Sequence, residues 1–227
     1  MDFNLSQEHL MLRDLYRKFA ENEVKPLAEE VDEEERFPME TVKKLARYGF
    51  MGIPFPKKYG GAGGDVLAYA MAVEELSKAC ATTGVIVSAH TSLCCAPIYE
   101  NGTEEQREKW LPKIVKGETV LGVCMTEPDH GSDLANIQAS AVDMGDHFLV
   151  NGTKTFISNG MVADLLVVAV RTDPNAAKPH KGISLLLIET KSEGVSRTLI
   201  PKIGLQAQDT AEVSFENVKV PKGNLIG

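Results

Sequence analysis

The sequence is poor in cysteine and tryptophan, and it has fewer basic than acidic side chains. Its 227 residues include four cysteines and one tryptophan, and 24 Lys and Arg stand against 32 Asp and Glu, which gives a formal net charge of −8. A chain of that sign is a poor ligand for polyanions, so we expect no nucleic acid partner. The four cysteines form no CxxC pair, which indicates small buried side chains in a reducing compartment.

The sequence pattern also indicates neither a secretory signal nor a membrane-spanning helix. The chain opens Met1-Asp-Phe-Asn-Leu5, without the basic and apolar segments of a secretory signal. We expect no apolar run that approaches the length a membrane-spanning helix needs. We therefore expect a protein that acts without a membrane.

Helical patterns fill the first half of the chain. We expect helices that begin near Ser6, near Pro38, near Val66, and at either Thr82 or Thr83. A further helix should begin at the capping box Thr103-Glu-Glu-Gln106. Pro26 should kink or end the first of these helices, because it lacks an N–H and its ring crowds the preceding turn. The helix from Thr82 or Thr83 to Tyr99 is apolar nearly all round, which predicts that it is buried.

The hydrophobic period changes after residue 117. Short β-branched or alternating segments follow at Val120–Met125, Ile137–Val142, His147–Val150, Leu165–Val170, Gly182–Glu189, Val195–Leu199, Ala211–Phe215 and Val218–Val220. Turn residues separate them, as in a small antiparallel barrel or sandwich. Helices first and strands second predict an α+β chain of two domains, an all-α domain at 1–117 and a β domain at 118–227.

Two features that could carry chemistry are interpreted as structural. The glycines of Gly60-Gly-Ala-Gly-Gly64 follow no clear strand, and Val66 stands where a dinucleotide fingerprint requires a third glycine. His90 and Cys94 share a helix face and could bind a metal or form a nucleophilic pair. Because no third ligand or orienting acid is near in sequence, a packed core pair is the favoured interpretation, and we expect no metal site.

The stretch Leu121-Gly-Val-Cys-Met-Thr-Glu-Pro-Asp-His-Gly-Ser-Asp133 joins a predicted strand to a bend rich in hydroxyls and acids. Pro128 fixes one φ there, and Gly131 permits a backbone that other residues resist. Composition alone favours a polar turn. The stretch also lies at the predicted domain seam, which is a common place for a ligand site.

Three ordered motifs resemble signatures of the acyl-CoA dehydrogenase family of flavoenzymes. Met125-Thr-Glu-Pro-Asp-His-Gly-Ser-Asp133 is similar to the first signature. Asn151-Gly-Thr-Lys-Thr-Phe-Ile-Ser-Asn-Gly160 resembles the hairpin that follows it in the family. Phe215-Glu-Asn-Val-Lys-Val-Pro-Lys-Gly-Asn-Leu-Ile-Gly227 resembles the strand that closes the middle domain, so the resemblance covers the whole chain.

The resemblance implies FAD-dependent oxidation of the α,β bond of acyl-CoA thioesters, with electrons passed to an electron-transferring flavoprotein. In the family a C-terminal four-helix bundle follows the β domain and usually carries the glutamate that takes the α proton. We expect that bundle to be absent from a chain that stops at Gly227, so no catalytic residue is assigned in it. Glu127 is, by the resemblance, a motif residue beside the flavin and not that base.

The same resemblance assigns the cofactor site residue by residue. It implies that FAD is held by Val123, Met125, Thr126, Gly131, Ser132, Phe156, Ile157 and Ser158, and that Ser132 can also reach the pantetheine arm of the substrate. Phe156 stands where the family usually has Trp, and Ser158 keeps the hydroxyl of the usual Thr. Without the resemblance, Phe156 would be interpreted as a core aromatic and Ser158 as part of a β-turn.

Ser88–Cys95 resembles short-chain, butyryl-type members, and the segment from Cys80 to Asn101 has no arginine to bind the far carboxylate of a dicarboxylic substrate. We therefore expect a short-chain acyl-CoA dehydrogenase of fatty-acid or amino-acid catabolism. The resemblance further implies a homotetramer in the cytoplasm of a bacterium or, as the alternative, in a mitochondrial matrix. Two other functions stay open: a truncated module that binds flavin or acyl-CoA without catalysis, and an oxidase-like member of the same superfamily.

Overall fold

The computed structural model describes residues 4–226, in which a helical part precedes a β-sheet part. The helices are α1 (Gln7–Phe19), α2 (Lys25–Glu33), α3 (Met39–Arg47), α4 (Val66–Ala79), α5 (Ala81–Ser88), α6 (Ala96–Asn101) and α7 (Glu104–Val115). The predicted order of helices first and strands second is therefore confirmed. The domain boundary predicted at residues 117 and 118 falls between the end of α7 and the first strand.

Two proline positions shape the long helical runs. A π-helical segment, Ala20–Val24, joins α1 to α2 and ends two residues before Pro26. A second π-helical segment, Ala89–Cys95, joins α5 to α6 and ends two residues before Pro97. Proline removes one backbone donor and crowds the carbonyl four residues earlier, and wider π-type turns accommodate both effects. The predicted disturbance at Pro26 thus takes the form of a π-helical segment within a continuous helical run.

The helical run Ala81–Asn101, called the central helical run below, corrects one sequence prediction. Its 21 residues are long and apolar enough to cross a bilayer by length and composition, so the prediction that no run has that length is wrong. In the fold, 61% of its most apolar window is buried inside the protein, so most of its apolar surface is covered. The predicted burial of this helix is confirmed, and a central core helix explains its composition.

Side-chain caps fix the helix starts and tie the two parts together. Asp65 accepts a hydrogen bond from the Ala68 N–H at 2.8 Å and so caps α4. The predicted capping box of α7 is present, with Thr103 and Gln106 each bonded to the other's backbone N–H. The Gln106 Nε2 also donates to the Leu225 carbonyl at 2.6 Å, which links α7 to the last described strand.

The described strands form one open sheet. They are β1 (Leu121–Cys124), β2 (Ser140–Asp143), β3 (His147–Ser158), β4 (Leu165–Arg171), β5 (Ile183–Glu189), β6 (Val195–Leu199), β7 (Thr210–Pro221) and β8 (Leu225–Ile226). Their order is β6-β7-β3-β2-β4-β5-β8, and β1 pairs with β4. The sheet thus stays open at β6 and β8 in place of the predicted closed barrel or sandwich. β1 and β2 pair with β4 in parallel, whereas the sequence predicts antiparallel pairing throughout.

The sheet buries both of its faces along β4. One face forms the internal core of the β part and includes Val150, Leu166, Val168, Leu186 and Val213. The other face packs on the helical part through Leu121, Leu165, Val167 and Leu187 against Cys94, Ile98, Leu111 and Ile114. This second, interdomain core holds β1 against the central helical run and fixes the position of the strand end that carries the first motif.

Truncation of the interdomain core tests its contribution to stability. Leu165→Ala should lower the free energy of unfolding by about 3 kcal/mol, because Leu165 is 1% exposed and its removal leaves a cavity between sheet and helices. Leu199→Ala is the control, since Leu199 is 56% exposed, and it should change stability by less than about 0.5 kcal/mol. Urea unfolding followed by circular dichroism measures both variants; equal losses would contradict the assigned core.

Candidate functional site

A cleft of about 450 Å³ opens where the end of β1 faces the central helical run. Its lining residues are Ser92, Leu93, Pro97, Val123, Met125, Thr126, Phe156, Ile157, Ser158, Val167 and Leu185. These side chains are mostly apolar, and Ser92, Thr126 and Ser158 supply hydroxyl groups. None of the residues that line the cleft in the described chain carries an ionisable acid or base. The cleft can therefore bind and orient a largely apolar ligand through a few hydrogen bonds.

The structure brings together most of the residues predicted from the sequence to bind a cofactor. Val123, Met125, Thr126, Phe156, Ile157 and Ser158 all line the cleft. Gly131 and Ser132 do not line it; both are exposed and follow a tight turn in which Glu127 and His130 exchange backbone hydrogen bonds of 3.0 and 3.2 Å. Because this turn carries the chain past the end of β1, the second half of the first motif lies outside the cleft.

A bulge in β3 turns Phe156 towards the cleft. Lys154 pairs with Val213 and Ile157 with Ala211, so β3 has one more residue than β7 over this interval. Phe156 takes a left-handed φ of 59° and its side chain is 66% exposed. Bulges commonly re-aim a side chain beside a functional site. The alternative interpretation of Phe156 as a core aromatic is therefore wrong.

Asn159 joins the end of β3 to the start of β1. Its side chain is fully buried, and its Nδ2 donates to the Leu121 carbonyl at 3.1 Å. A Cβ added at Gly122 would lie 3.1 Å from the Ser158 carbonyl oxygen and 3.2 Å from Leu166. The glycine thus permits the close approach of β1 and β3, which brings the two motifs to one cleft.

A buried ion pair, Glu127–Lys154, connects the two motifs beneath the cleft. Lys154 is fully buried, and its Nζ lies 2.9 Å from Glu127 Oε1 and 3.1 Å from the Met125 carbonyl oxygen. The Glu127 carboxylate also accepts hydrogen bonds from the backbone N–H of Gln138 at 2.6 Å and from that of Ala139 at 2.8 Å. These donors satisfy the carboxylate, and the pair fixes the position of the strand end that lines the cleft.

The environment keeps Glu127 ionised and engaged. Burial favours its neutral form, but the backbone donors and the Lys154 ammonium outweigh that effect and hold the pKa of Glu127 below its ordinary value. Burial lowers the pKa of Lys154, and the hydrogen bond and charge of Glu127 oppose that shift. A carboxylate with a lowered pKa and a full set of donors is a poor general base, in agreement with the sequence interpretation of Glu127 as a motif residue.

His90 and Cys94 behave as core residues. The His90 Nε2 lies 3.0 Å from the Ile114 carbonyl oxygen, and burial lowers the pKa of His90 to about 4. Burial raises the pKa of the Cys94 thiol well above its ordinary value. A neutral imidazole and an unionised thiol fit the packed pair favoured by the sequence interpretation. Residues 4–226 contain no group of three His, Cys, Asp or Glu side chains placed to hold a metal ion.

Lys154 is not among the site residues predicted from the sequence. The alternation of β3 contains a signal for Lys154. Lys154 lies on the same, buried side of the strand as Phe148 and Val150, where a lysine needs an acidic partner. Ser92 and Leu93 lie in the segment Ser88–Cys95, whose resemblance to short-chain members points to the substrate side of the site, and both line the cleft.

Comparisons with known proteins agree with this architecture. The family model of the acyl-CoA dehydrogenase N-terminal domain matches residues 6–118, and that of the acyl-CoA dehydrogenase middle domain matches residues 122–218. The short-chain specific acyl-CoA dehydrogenase of Clostridium acetobutylicum is 54% identical over 228 residues, which cover 100% of this chain and 60% of that protein. The chain belongs to the acyl-CoA dehydrogenase family.

Solved structures share the fold over nearly the whole chain. One of them belongs to a structure titled for the electron transferring flavoprotein of Acidaminococcus fermentans and flavin-based electron bifurcation. Its TM-score is 0.96 and its identity 42%, and the match covers 100% of this chain and 60% of that chain. A glutaryl-CoA dehydrogenase from Mycobacterium smegmatis in complex with FADH2 has a TM-score of 0.90 and 32% identity, with 97% and 55% covered. The chain thus spans about 60% of the length of its relatives.

The buried ion pair generates a pH-dependent prediction. Glu127→Gln should lower the free energy of unfolding by about 3 kcal/mol at pH 7, because it leaves the Lys154 ammonium buried without its counter-charge. A carboxylate whose folded pKa is lowered stabilises the fold above its unfolded pKa of about 4.3, and this contribution is lost as pH falls through the folded value. The difference between wild type and variant should therefore shrink below about pH 4.3.

The control for this measurement is Glu108→Gln, which changes an exposed glutamate on α7. It should follow the wild-type curve within about 0.5 kcal/mol across the pH range. Urea unfolding at a series of pH values measures all three proteins. A Glu127→Gln penalty that stays constant from pH 7 to acid would contradict the ionised pair.

Proposed function

We propose that the chain is the N-terminal and middle part of an FAD-dependent short-chain acyl-CoA dehydrogenase, and that the cleft binds the isoalloxazine ring. The observation that carries the proposal is the meeting of two separate motifs, Val123–Thr126 and Phe156–Ser158, at one cleft. The FADH2 in the related glutaryl-CoA dehydrogenase structure supports the cofactor. The 54% identity to a short-chain specific relative supports the substrate class.

The residues of the cleft fit a flavin by their chemistry. The mostly apolar walls exclude water from a flat ring, and the Phe156 ring, exposed at the rim, can cover one face of it. The Thr126 and Ser158 hydroxyls can donate to the polar edge of the ring. When bound, FAD would supply the acceptor for the hydride that leaves the acyl chain. Fixed donors at the edge of such a group stabilise the charge that it gains.

The helical wall favours a short, uncharged acyl group. Ser92, Leu93 and Pro97 of the helical run line the cleft opposite the strand end, and no lysine or arginine of the described chain lines it. A dicarboxylic acyl group would leave its far carboxylate without a cationic partner there. The apolar lining therefore supports a butyryl-type substrate and argues against a glutaryl-type one.

Proton abstraction must use a group other than the cleft-lining residues. These residues hold no titratable side chain, and Glu127 is buried in its ion pair with Lys154. We propose that the base, the further contacts to FAD and the contacts of a homotetramer lie outside residues 1–227, since the chain covers 60% of the short-chain specific relative. The proposed acceptor of the electrons is an electron-transferring flavoprotein, and the proposed location is the bacterial cytoplasm.

Two rival functions make different predictions. A non-catalytic module would bind FAD or acyl-CoA tightly as the isolated chain, without turnover. An oxidase-like enzyme would pass electrons to oxygen. Isothermal titration with FAD and butyryl-CoA distinguishes the module from a dehydrogenase. Oxygen consumption by the protein distinguishes the oxidase-like enzyme from it.

Flavin binding tests the assigned cleft. Phe156→Ala should weaken FAD binding about tenfold, because it removes the aromatic surface at the rim of the cleft. Thr126→Val should weaken it by a similar factor, because it replaces a hydroxyl by a methyl group of similar size. Ile203→Ala is the control, since Ile203 is fully exposed and does not line the cleft. Titration followed by flavin absorbance measures the dissociation constants; equal binding by all variants would reject the cleft as the flavin site.

Turnover tests the assignment of the base. The chain of residues 1–227, saturated with FAD, should reduce an artificial dye with butyryl-CoA no faster than a sample without protein. The physical reason is that no cleft-lining group can accept the α proton. Dye reduction that depends on butyryl-CoA and survives Glu127→Gln would show that another residue of this chain acts as the base.

A further inference from the structure

Lys154 contacts the strand end of the cleft as well as its acidic partner. Its ammonium donates to the Met125 carbonyl at 3.1 Å, and Met125 precedes Thr126 at the cleft. The next carbonyl, that of Thr126, accepts the Thr155 N–H at 2.9 Å. Two successive carbonyls of the strand end are therefore fixed by β3, one of them by a cation.

The geometry of the peptide unit transmits this contact to the cleft. The described residues contain no cis peptide bond, so the Met125 C=O and the Thr126 N–H point in opposite directions from one plane. Because the carbonyl points at the buried ammonium, the N–H points away from Lys154. Within residues 4–226 the Thr126 N–H donates no hydrogen bond, although its neighbours in the turn are paired. It is thus a free, oriented donor on a residue that lines the cleft.

A cation bonded to a peptide carbonyl also strengthens the donor at the other end of the same peptide. Hydrogen bonds in a chain polarise one another, and the effect is larger in a buried, low-dielectric setting. Lys154 is fully buried and Cys124 beside it is fully buried as well, so water does not screen the contact. The Thr126 N–H is consequently a better donor than an ordinary strand-end amide.

Stability alone does not explain why a lysine occupies position 154 on the buried face of β3. A buried ion pair is often no more stabilising than apolar residues of similar volume, and Phe148 and Val150 show that apolar side chains suit this face of β3. A pair that joins a cation to a cleft-lining peptide is a candidate for a functional role.

We propose that Lys154 is a positioning residue that orients and polarises the Thr126 N–H towards the edge of the bound flavin on which negative charge develops. The inference rests on the proposed function, because it concerns the same cleft. Lys154 acts through the peptide and touches neither cofactor nor substrate. The polarised donor stabilises the reduced cofactor more than the oxidised one, since the reduced form carries more charge at that edge.

The test compares Lys154→Met with wild type, and uses Glu127→Gln/Lys154→Met as a second variant that leaves no buried charge unpaired if the single variant fails to fold. The first readout needs no cofactor: the Thr126 amide proton resonance should move upfield in both variants, because its donor is less polarised. Lys219→Met, which removes an exposed lysine of β7, is the control and should leave that resonance unchanged.

The second readout is the midpoint potential of bound FAD. A tenfold loss of affinity for the reduced form relative to the oxidised form corresponds to a potential lower by about 30 mV for a two-electron couple, and we expect a change of that order in the Lys154 variants. A merely structural role would weaken both forms equally and leave the potential unchanged. An unmoved Thr126 amide or an unmoved potential in folded variants would overturn the inference. Failure of wild type to bind FAD would overturn the proposed function instead, and the amide resonance would still decide whether Lys154 polarises the peptide.

Discussion

The Glu127–Lys154 ion pair is the interaction on which the arrangement of the cleft depends. It joins segments 27 positions apart in the chain, one at the end of β1 and one in the middle of β3. Neither charge would be stable alone at this depth, since an isolated buried ion is strongly disfavoured. Backbone donors from Gln138 and Ala139 complete the coordination of the carboxylate. The pair therefore specifies which residues of β1 and β3 meet, and the cleft residues on either side follow from that alignment.

The interdomain core provides the second constraint. β1 lies parallel to β4 and packs against the central helical run, in a core that includes Leu121, Leu165 and Ile98. This core is apolar and closely packed, so the end of β1 has little freedom to shift relative to the helices. The π-helical segment Ala89–Cys95 presents Ser92 and Leu93 on the opposite wall. The cleft is thus built on rigid elements, which suits a site that must hold a flat group in one orientation.

Local sequence patterns predicted much of the fold and part of the site. Caps at Asp65 and Thr103 and the periodicity of the helices act within one turn, so they can be identified from the sequence alone. The parallel pairing of β1 with β4 depends on partners 44 residues apart, as in Leu121 and Leu165, and no local pattern encodes it. The bulge at Phe156 likewise depends on the register with β7. Gly131 and Ser132 lie outside the cleft, and their role in holding FAD or the pantetheine arm stays a prediction.

The chemistry of the cleft follows from what its walls exclude. Ionisable side chains are absent from the lining in the described chain, while Glu127 and Lys154 are buried and paired with each other beneath it. Such a site cannot exchange protons with its ligand, but it presents fixed donors in an apolar setting, where hydrogen bonds to developing charge are stronger than in water. A cofactor whose charge changes on reduction benefits from that setting more than a ligand of constant charge. The composition of this cleft therefore supports the proposal that it holds the electron acceptor and that a group outside its lining moves the proton.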